Sequence, residues 1–223
     1  MLIRKLLSAA VPVSLTLGCA IASADVGVGA MIGTQGYGGD IAYNLIPRVN
    51  ARLGFATYTY KRSFSESGVD YDGKLKIAGV RALADLNIGL GFRVSGGVVF
   101  HDNRVDLTGK PSNSTYTLNG TTYNSSDVAS LKGRIKFGNG VAPYLGLGWG
   151  RVSNAGIGFY ADIGAMYQGK ATTKLDITCG SALSNSQCDQ LRADAAAEQA
   201  QVEKDMRRYR WYPVINVGLS VGF

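Results

Sequence analysis

Few residues in this sequence have the chemistry of a catalytic or metal site, and they lie far apart along the chain. His101 is the single histidine, and Asp102 follows it directly. A histidine beside a carboxylate is a candidate for acid–base catalysis, although such a residue is more often structural and bonds a neighbour. A metal site would require further ligands nearby, and none stands there in a suitable spacing. We therefore predict no catalytic residue, no metal site and no cofactor.

Two cysteines, Cys179 and Cys188, are nine positions apart in the second half of the chain. The third, Cys19, lies in an N-terminal segment that we predict to be removed. An exported protein folds in an oxidising compartment, where paired cysteines form disulfides. We therefore predict a Cys179–Cys188 disulfide that closes a small loop.

The N-terminal segment is typical of a secretory signal peptide. A positively charged pair precedes an apolar core over residues 6–17, and small residues at 22–24 provide a cleavage site. A membrane-anchoring helix is the alternative, but the apolar core is too short to cross a bilayer. We predict a signal peptide over residues 1–24 and one domain over residues 25–223.

The charge balance does not favour nucleic acid as a partner. The formal net charge is +7, and the positive charges of Arg4 and Lys5 leave with the signal peptide. The remaining basic excess is mild for a chain of this length. An exported protein would also seldom meet nucleic acid, so we predict no such partner.

Residues 211–223 set the pattern for the rest of the chain, because their side chains alternate between two kinds. The intervening residues are mostly small or polar, and the other set is apolar: Trp211, Pro213, Ile215, Val217, Leu219, Val221 and Phe223. A period of two predicts a strand with two different faces. Seven earlier segments alternate in the same way, so we predict eight strands: 26–33, 37–45, 49–60, 73–86, 92–101, one that ends near 151, 157–167 and 211–223.

The predicted connections alternate between short and long. Short turns fall at 46–49, 85–90 and 151–155, whereas polar loops fall at 61–72, 107–138 and 176–206. Within the loops we predict a small hairpin on the Asn119-Gly120 turn and a helix over about 188–206. Alternation over residues 131–137 leaves open that a strand already begins there. The fourth strand alternates less cleanly than the others, and we predict a bulge near Gly79.

A membrane barrel and a soluble barrel both have alternating strands, so the polar set of side chains decides between them. A soluble barrel would expose lysine, glutamate and threonine on that face. Here glycine, alanine, serine and asparagine dominate, with isolated charges at Asp40, Arg52, Arg93 and Asp162. Small residues and pairing charges suit the lumen of a narrow barrel, and the apolar set suits lipid. We predict an eight-stranded antiparallel transmembrane β-barrel with a short helix in its last extracellular loop.

Two stretches carry a resemblance to a known family: Val141-Ala-Pro-Tyr-Leu-Gly-Leu-Gly-Trp149 and Leu219-Ser-Val-Gly-Phe223. The chain resembles small bacterial outer-membrane barrels of the OmpA transmembrane-domain, OmpW and OmpX type. The resemblance implies a monomer in the outer membrane of a Gram-negative cell, surrounded by lipid and lipopolysaccharide. It also implies that Leu219, Val221 and Phe223 form the signal that the barrel-assembly machinery reads. Phe223 is then expected at the periplasmic edge.

Three functions are compatible with such a barrel. The one we favour is a non-enzymatic protein whose extracellular loops serve surface interaction or envelope integrity. A narrow, porin-like channel for small or apolar solutes is the second. The third is a lipid A-modifying enzyme, since some barrels of this kind use a histidine with a serine or aspartate at the level of His101. The family deacylases have serine two positions after the histidine, and Asn103 stands there instead.

Cations are frequent in the segments predicted to lie outside the cell, with acidic residues between them. A mixed, solvated rim is the simpler interpretation. Arginine clusters also suit phosphate groups. We therefore name Arg207, Arg208 and Arg210 as candidate lipopolysaccharide contacts.

Overall fold

The computed structural model describes residues 25–66, 69–111, 115–153 and 155–223, so the predicted signal peptide lies outside it. A single-turn 3-10 helix at Ser125–Asp127 and an α-helix, α1 (Asn185–Met206), accompany the strands. The strands are β1 Val26–Gly33, β2 Gly36–Ile46, β3 Val49–Glu66, β4 Val69–Gly89, β5 Phe92–His101, β6 Arg104–Pro111, β7 Thr115–Leu118, β8 Thr121–Asn124, β9 Val128–Phe137, β10 Val141–Trp149, β11 Gly156–Tyr167, β12 Ala171–Cys179 and β13 Trp211–Gly222.

Eight of these strands close into an antiparallel barrel, as predicted. The order around the ring is β1, β2, β3, β4, β5, β10, β11 and β13. β13 closes the ring, because it pairs with β1 on one side and with β11 on the other. Closure leaves no unpaired strand edge within the ring.

Side chains alternate between the lumen and the exterior along the barrel strands. On β13, Val214 and Asn216 are buried in the lumen, whereas Ile215 and Leu219 are 51% and 63% exposed. Each strand of the ring contributes exposed apolar residues to the same belt, for example Ile32, Ile41, Phe55, Val80, Phe100, Leu147, Ile163 and Leu219. Soluble proteins rarely expose a continuous apolar surface of this kind, whereas lipid covers such a belt on a membrane barrel.

The predicted polar loops are wrong in part, because several strands extend beyond the ring. β4 pairs with β5 up to Gly79 and with β6 from Lys76 onward. β6 then pairs with β9, and β9 with β12. Together with the end of β3, these segments continue the same sheet beyond the ring, and we call this extension the outer sheet. The segment 61–72 is therefore strand on both sides of its turn, and 107–138 and 176–206 also contain strands.

The predicted bulge near Gly79 is wrong as well. The register of β3 with β4 runs unbroken from the Val49–Leu86 pair to the Glu66–Val69 pair. The face of β4 that carries the apolar side chains changes near Gly79. In the ring the apolar side chains of β4, such as Val80, point outward and belong to the belt. In the outer sheet Leu75 and Ile77 lie on the opposite face, which continues the lumen side of the barrel. The chain alternates regularly, and the change in environment inverts the hydrophobic pattern.

A hairpin and a helix cover the inward face of the outer sheet. β7 and β8 pair around Asn119 and Gly120, which both have positive φ, as predicted for an Asn-Gly turn. Buried residues of the hairpin, β9 and the helix form one apolar cluster, Leu118, Tyr123, Val128 and Leu191. None of the helices in the described ranges has both the length and the apolar character needed to span a membrane.

The helix begins at Asn185 rather than near residue 188 because Ser184 caps it. The Gln187 amide N–H donates to Ser184 Oγ at 3.4 Å, and the Ser184 amide N–H donates to Gln187 Oε1 at 3.0 Å. Reciprocal bonds of this type satisfy the amides that a helix start leaves free. Farther along, the helix protects the edge of β12. The amide of Thr173 donates to Glu203 at 2.9 Å, and the amide of Leu175 donates to Gln199 at 3.2 Å.

Candidate functional site

The predicted lumen charges lie together in the barrel interior. Arg52 on β3 donates to both carboxylate oxygens of Asp162 on β11, at 2.8 and 3.2 Å. Arg93 on β5 contacts the same carboxylate at 2.6 Å. Asp40 on β2 is 3.8 Å from Arg52. Arg52 and Arg93 are each only 1% exposed, so these ion pairs are shielded from solvent.

The interior network has two further members that our sequence prediction did not include, Arg81 and Asp85. Arg81 forms a bidentate pair with Asp40, with 3.0 Å between Nε and Oδ1 and 2.7 Å between Nη2 and Oδ2. Asp85 accepts from Arg52, with 3.1 Å between Nη2 and Oδ1. Both residues follow the alternation of the fourth strand into the lumen. We missed Asp85 because we placed the turn at 85–90, whereas β4 continues to Gly89.

An aromatic residue completes the network. The Tyr160 hydroxyl donates to Asp40 at 2.8 Å, and its ring lies 5.9 Å from the Arg93 guanidinium carbon. Buried charges are tolerated when each has partners, and removal of one partner leaves the other uncompensated. The arginines, carboxylates and tyrosine therefore tie five strands of the ring, β2, β3, β4, β5 and β11, together through the lumen.

Glycine makes room for these side chains. A β-carbon at Gly148 would meet the Arg93 guanidinium, and one at Gly54 would meet the Asp40 carboxylate and Arg81. A β-carbon at Gly218 would meet the Tyr160 ring and the Ala30 carbonyl. The abundance of glycine on the lumen face therefore follows from the space that large charged and aromatic residues occupy in a narrow barrel.

An apolar cluster fills the lumen beside the charged network. Its members are Leu83, Val99, Ala142, Tyr144, Met166 and Val214. The gap between this cluster and residues Arg52, Arg81 and Asp162 has no room for a water molecule. In the part of the chain that the structure describes, the lumen is thus filled by side chains and contains no open pore at this level.

His101 does not form the pair with Asp102 that the sequence suggested. Its side chain is on the lumen face and is 7% exposed, and neither ring nitrogen has a hydrogen-bond partner among the described residues. Asp102 instead pairs with Lys76 at 3.0 Å and with Arg104. No group of three or more potential metal ligands occurs in the described ranges.

The Cys179–Cys188 disulfide is present and joins the end of β12 to the first turns of α1. Polar contacts hold the same part of the helix to the hairpin. Asp194 accepts from the Tyr123 hydroxyl at 2.5 Å and from the Asn119 amide at 3.2 Å. Burial, together with Asp194, raises the pKa of Tyr123 to about 12, and the hydrogen bond from Tyr123 lowers the pKa of Asp194.

The three arginines predicted to contact lipopolysaccharide follow the helix. Arg207 is the C-cap, and Arg208 donates to the Asp205 carbonyl at 3.2 Å and lies over the Tyr209 ring. Arg210 is partly buried. The Arg210 carbonyl accepts from the Gln168 amide at 2.9 Å.

The residues of the predicted assembly signal lie on the lipid-facing side. Leu219, Val221 and Phe223 are 63%, 40% and 64% exposed. The Phe223 amide donates to the Val26 carbonyl at 2.9 Å, which places Phe223 beside the start of β1. Short turns lie at this end of the barrel.

A ladder of ion pairs crosses the outer sheet. Asp106 on β6 pairs with Arg104 at 3.1 Å and with Arg134 on β9 at 2.5 Å. Burial raises the pKa of Asp106, but the hydrogen bonds from Arg134 and Arg104 outweigh it and hold the pKa below its usual value. Asp102 and Asp106 therefore fix neighbouring cations on the exposed face of the sheet.

No protein-family model matches the chain, and no curated protein is significantly similar to it. Several solved structures are similar in fold, among them two from Acinetobacter baumannii. CarO2 of Acinetobacter baumannii is 24% identical with a TM-score of 0.56, and the match covers 89% of this chain and 98% of that one. CarO of the same organism is 26% identical with a TM-score of 0.55, covering 88% and 97%. The chain thus shares the fold of these small barrel proteins over nearly their whole length.

Proposed function

We propose that this protein is a non-enzymatic outer-membrane barrel that holds its outer sheet and helix outside the cell for surface interaction or envelope integrity. The observation that carries this proposal is the filled lumen: among the described residues, buried ion pairs tie the ring together, and the gap beside Arg52, Arg81 and Asp162 has no room for a water molecule. Binding energy and specificity would then reside in the outer sheet, hairpin and helix.

The membrane location is supported by the apolar belt and by the asymmetry of the connections. A closed barrel satisfies every backbone group in lipid, and short turns at one end with long extensions at the other are typical of outer-membrane barrels. The predicted signal peptide agrees with export. In this orientation the short turns and Phe223 face the periplasm, and the outer sheet faces the medium.

The lipid A-modifying enzyme receives no support from the geometry. A catalytic histidine needs a partner that sets its protonation and access to the substrate. His101 is buried on the lumen face, and Asp102 is bound to cations. The variant His101→Ala tests this alternative, and we expect it to leave the lipid A profile of the cells unchanged.

The proposal is tested by locating the protein and measuring its conductance. We expect the protein in the outer-membrane fraction, with faster migration in unheated than in heated detergent gels because a folded barrel stays compact. In planar bilayers we expect no stable single-channel steps. Regular steps from purified, folded protein would favour the narrow channel and contradict the proposal.

A further inference from the structure

The outward face of the outer sheet is strongly cationic. Directly opposed residues of antiparallel strands share a face, so each cross-strand row presents one side chain from every strand. The row nearest the barrel is Thr59, Lys76, Arg104, Lys136 and Thr172, and the next is Lys61, Lys74, Asp106, Arg134 and Lys174. Cations outnumber carboxylates in both rows.

This cationic face continues the lipid-facing exterior of the barrel. Phe55 and Val80 form one row of the apolar belt, and both are more than half exposed, at 58% and 52%. A single row, Thr57 with Ala78, separates them from the row that contains Lys76. The cations therefore begin immediately beyond the belt, at the level where the head groups of the outer leaflet lie if the proposed function is correct.

Part of the cationic face is held by internal ion pairs, and part of it is not. Asp102 and Asp106 pair with Lys76, Arg104 and Arg134. By contrast, Lys74, Lys136 and Lys174 have no ion pair among the described residues, and Lys136 and Lys174 are exposed. These ammonium groups are available to an external anion.

A shallow depression lies at one side of this face. It has a volume of about 370 Å³, and its lining includes Lys61, Ser63, Lys74 and Thr108. Ammonium groups around an open depression match a phosphorylated sugar better than an apolar ligand. Asp72 and Asp106 also line it, and their carboxylates already accept from Ser63 and from Arg104 and Arg134.

We propose that this face binds the phosphate groups of lipopolysaccharide in the outer leaflet. The inference rests on the proposed outer-membrane location and names a different surface from Arg207, Arg208 and Arg210. The cations extend across several neighbouring strands, so they match phosphates fixed side by side in a leaflet rather than one soluble anion. Each cation near an anionic membrane surface strengthens binding, and the effects accumulate along the row.

The experiment compares folded, purified variants in detergent by native mass spectrometry with lipopolysaccharide as the probe. We expect the triple variant Lys74→Gln/Lys136→Gln/Lys174→Gln to bind about a hundredfold more weakly than the wild type. The charge-conserving triple Lys74→Arg/Lys136→Arg/Lys174→Arg should keep the affinity. The triple Arg207→Gln/Arg208→Gln/Arg210→Gln removes the same charge elsewhere and should change the affinity by only a few-fold.

Three further probes identify the source of the phosphate. Phosphatase-treated lipopolysaccharide should bind as weakly as the glutamine triple, and neither inorganic phosphate nor phosphatidylglycerol should compete at equal phosphate concentration. Equal binding by the wild type and the glutamine triple overturns the inference, and so does undiminished binding of the dephosphorylated probe. Each preparation is also run unheated and heated on a gel. If the wild-type protein is heat-modifiable but does not bind lipopolysaccharide, this inference alone is refuted. If the wild-type protein shows no heat-modifiable migration, the proposed function is refuted.

Discussion

Arg52 and Asp162, which are 110 positions apart in the chain, form a bidentate ion pair inside the barrel. The Arg52 guanidinium also reaches Asp85, and Asp162 also receives Arg93. Strands from opposite parts of the ring therefore depend on the same group of charges. Such a network fixes one arrangement of the barrel, because every alternative arrangement would leave buried charge without a partner.

Substitution of Arg52 by alanine should destabilise the barrel strongly. The variant leaves Asp162 and Asp85 buried beside fewer cations, and loss of one partner from a buried pair costs about 3–5 kcal/mol. Urea unfolding of the refolded protein in detergent or lipid measures the effect. Lys204→Ala, on an exposed part of α1, is the matched control and should change little. A similar midpoint for Arg52→Ala and the control would show that the network does not contribute to stability.

Removal of bulk from the lumen should open a conducting path. Arg81 and Tyr144 both line the gap that excludes water, and the double variant Arg81→Ala/Tyr144→Ala removes a large volume from it. We expect channel steps in planar bilayers, where the wild type shows none. Tyr43→Ala, on the lipid-facing side, is the control and should stay closed. If the wild type and the double variant conduct equally, this gap does not control conduction, and the prediction is wrong.

Glycine at position 218 should be far less replaceable than glycine at position 96. A β-carbon at Gly218 would meet Tyr160 and the Ala30 backbone, whereas at Gly96 the nearest atoms are 4.0 Å away. Overpacking of a filled core costs about 1–3 kcal/mol. Gly218→Ala should therefore lower the urea midpoint, and Gly96→Ala should not. Equal urea midpoints for Gly218→Ala and Gly96→Ala would contradict this prediction.

Loss of the disulfide should loosen the helix without affecting the ring. Closure of a loop of this size contributes about 3 kcal/mol in the chain-entropy estimate. The Cys179→Ser/Cys188→Ser variant should be cleaved faster by protease within residues 180–190, while the heat-modifiable gel shift remains. The Glu203 and Gln199 contacts to β12 should retain the C-terminal part of α1. If this variant loses the heat-modifiable gel shift, the disulfide is required for folding of the barrel, and the prediction is wrong.

Deletion of Phe223 should impair assembly before it impairs any other property. The resemblance to outer-membrane barrels implies that this residue belongs to the signal for insertion, and its backbone pairs with Val26 at the point of ring closure. We expect less protein in the outer membrane and more in periplasmic aggregates. Phe223→Tyr should assemble normally, because it keeps the aromatic group and the backbone bonds. Equal outer-membrane levels for the deletion and the wild type would contradict the assignment.

Much of the barrel could be predicted from the sequence because alternation is a local property. Residues 26–33, 92–101 and 211–223 show their two faces in the order of their side chains, and the structure contains strands at these positions. The same pattern places Asp40, Arg52, Arg93 and Asp162 on the less apolar face. The Asn119-Gly120 turn is also encoded locally, since both residues accept positive φ.

The outer sheet was not predictable in the same way. Local alternation continues through Lys74, Leu75, Lys76 and Ile77, but which side is buried depends on what covers each face. The apolar belt forms the exterior of the ring, whereas the hairpin and α1 cover the inward face of the outer sheet, so the apolar side chains change faces near Gly79. The partners of each charge likewise depend on closure, because ring geometry brings Arg52 to Asp162 across the lumen. The sequence by itself therefore determined the strands and their two faces, and only the tertiary structure decided which face is buried by other parts of the protein and which is exposed, because burial depends on ring closure and on the elements that cover each face.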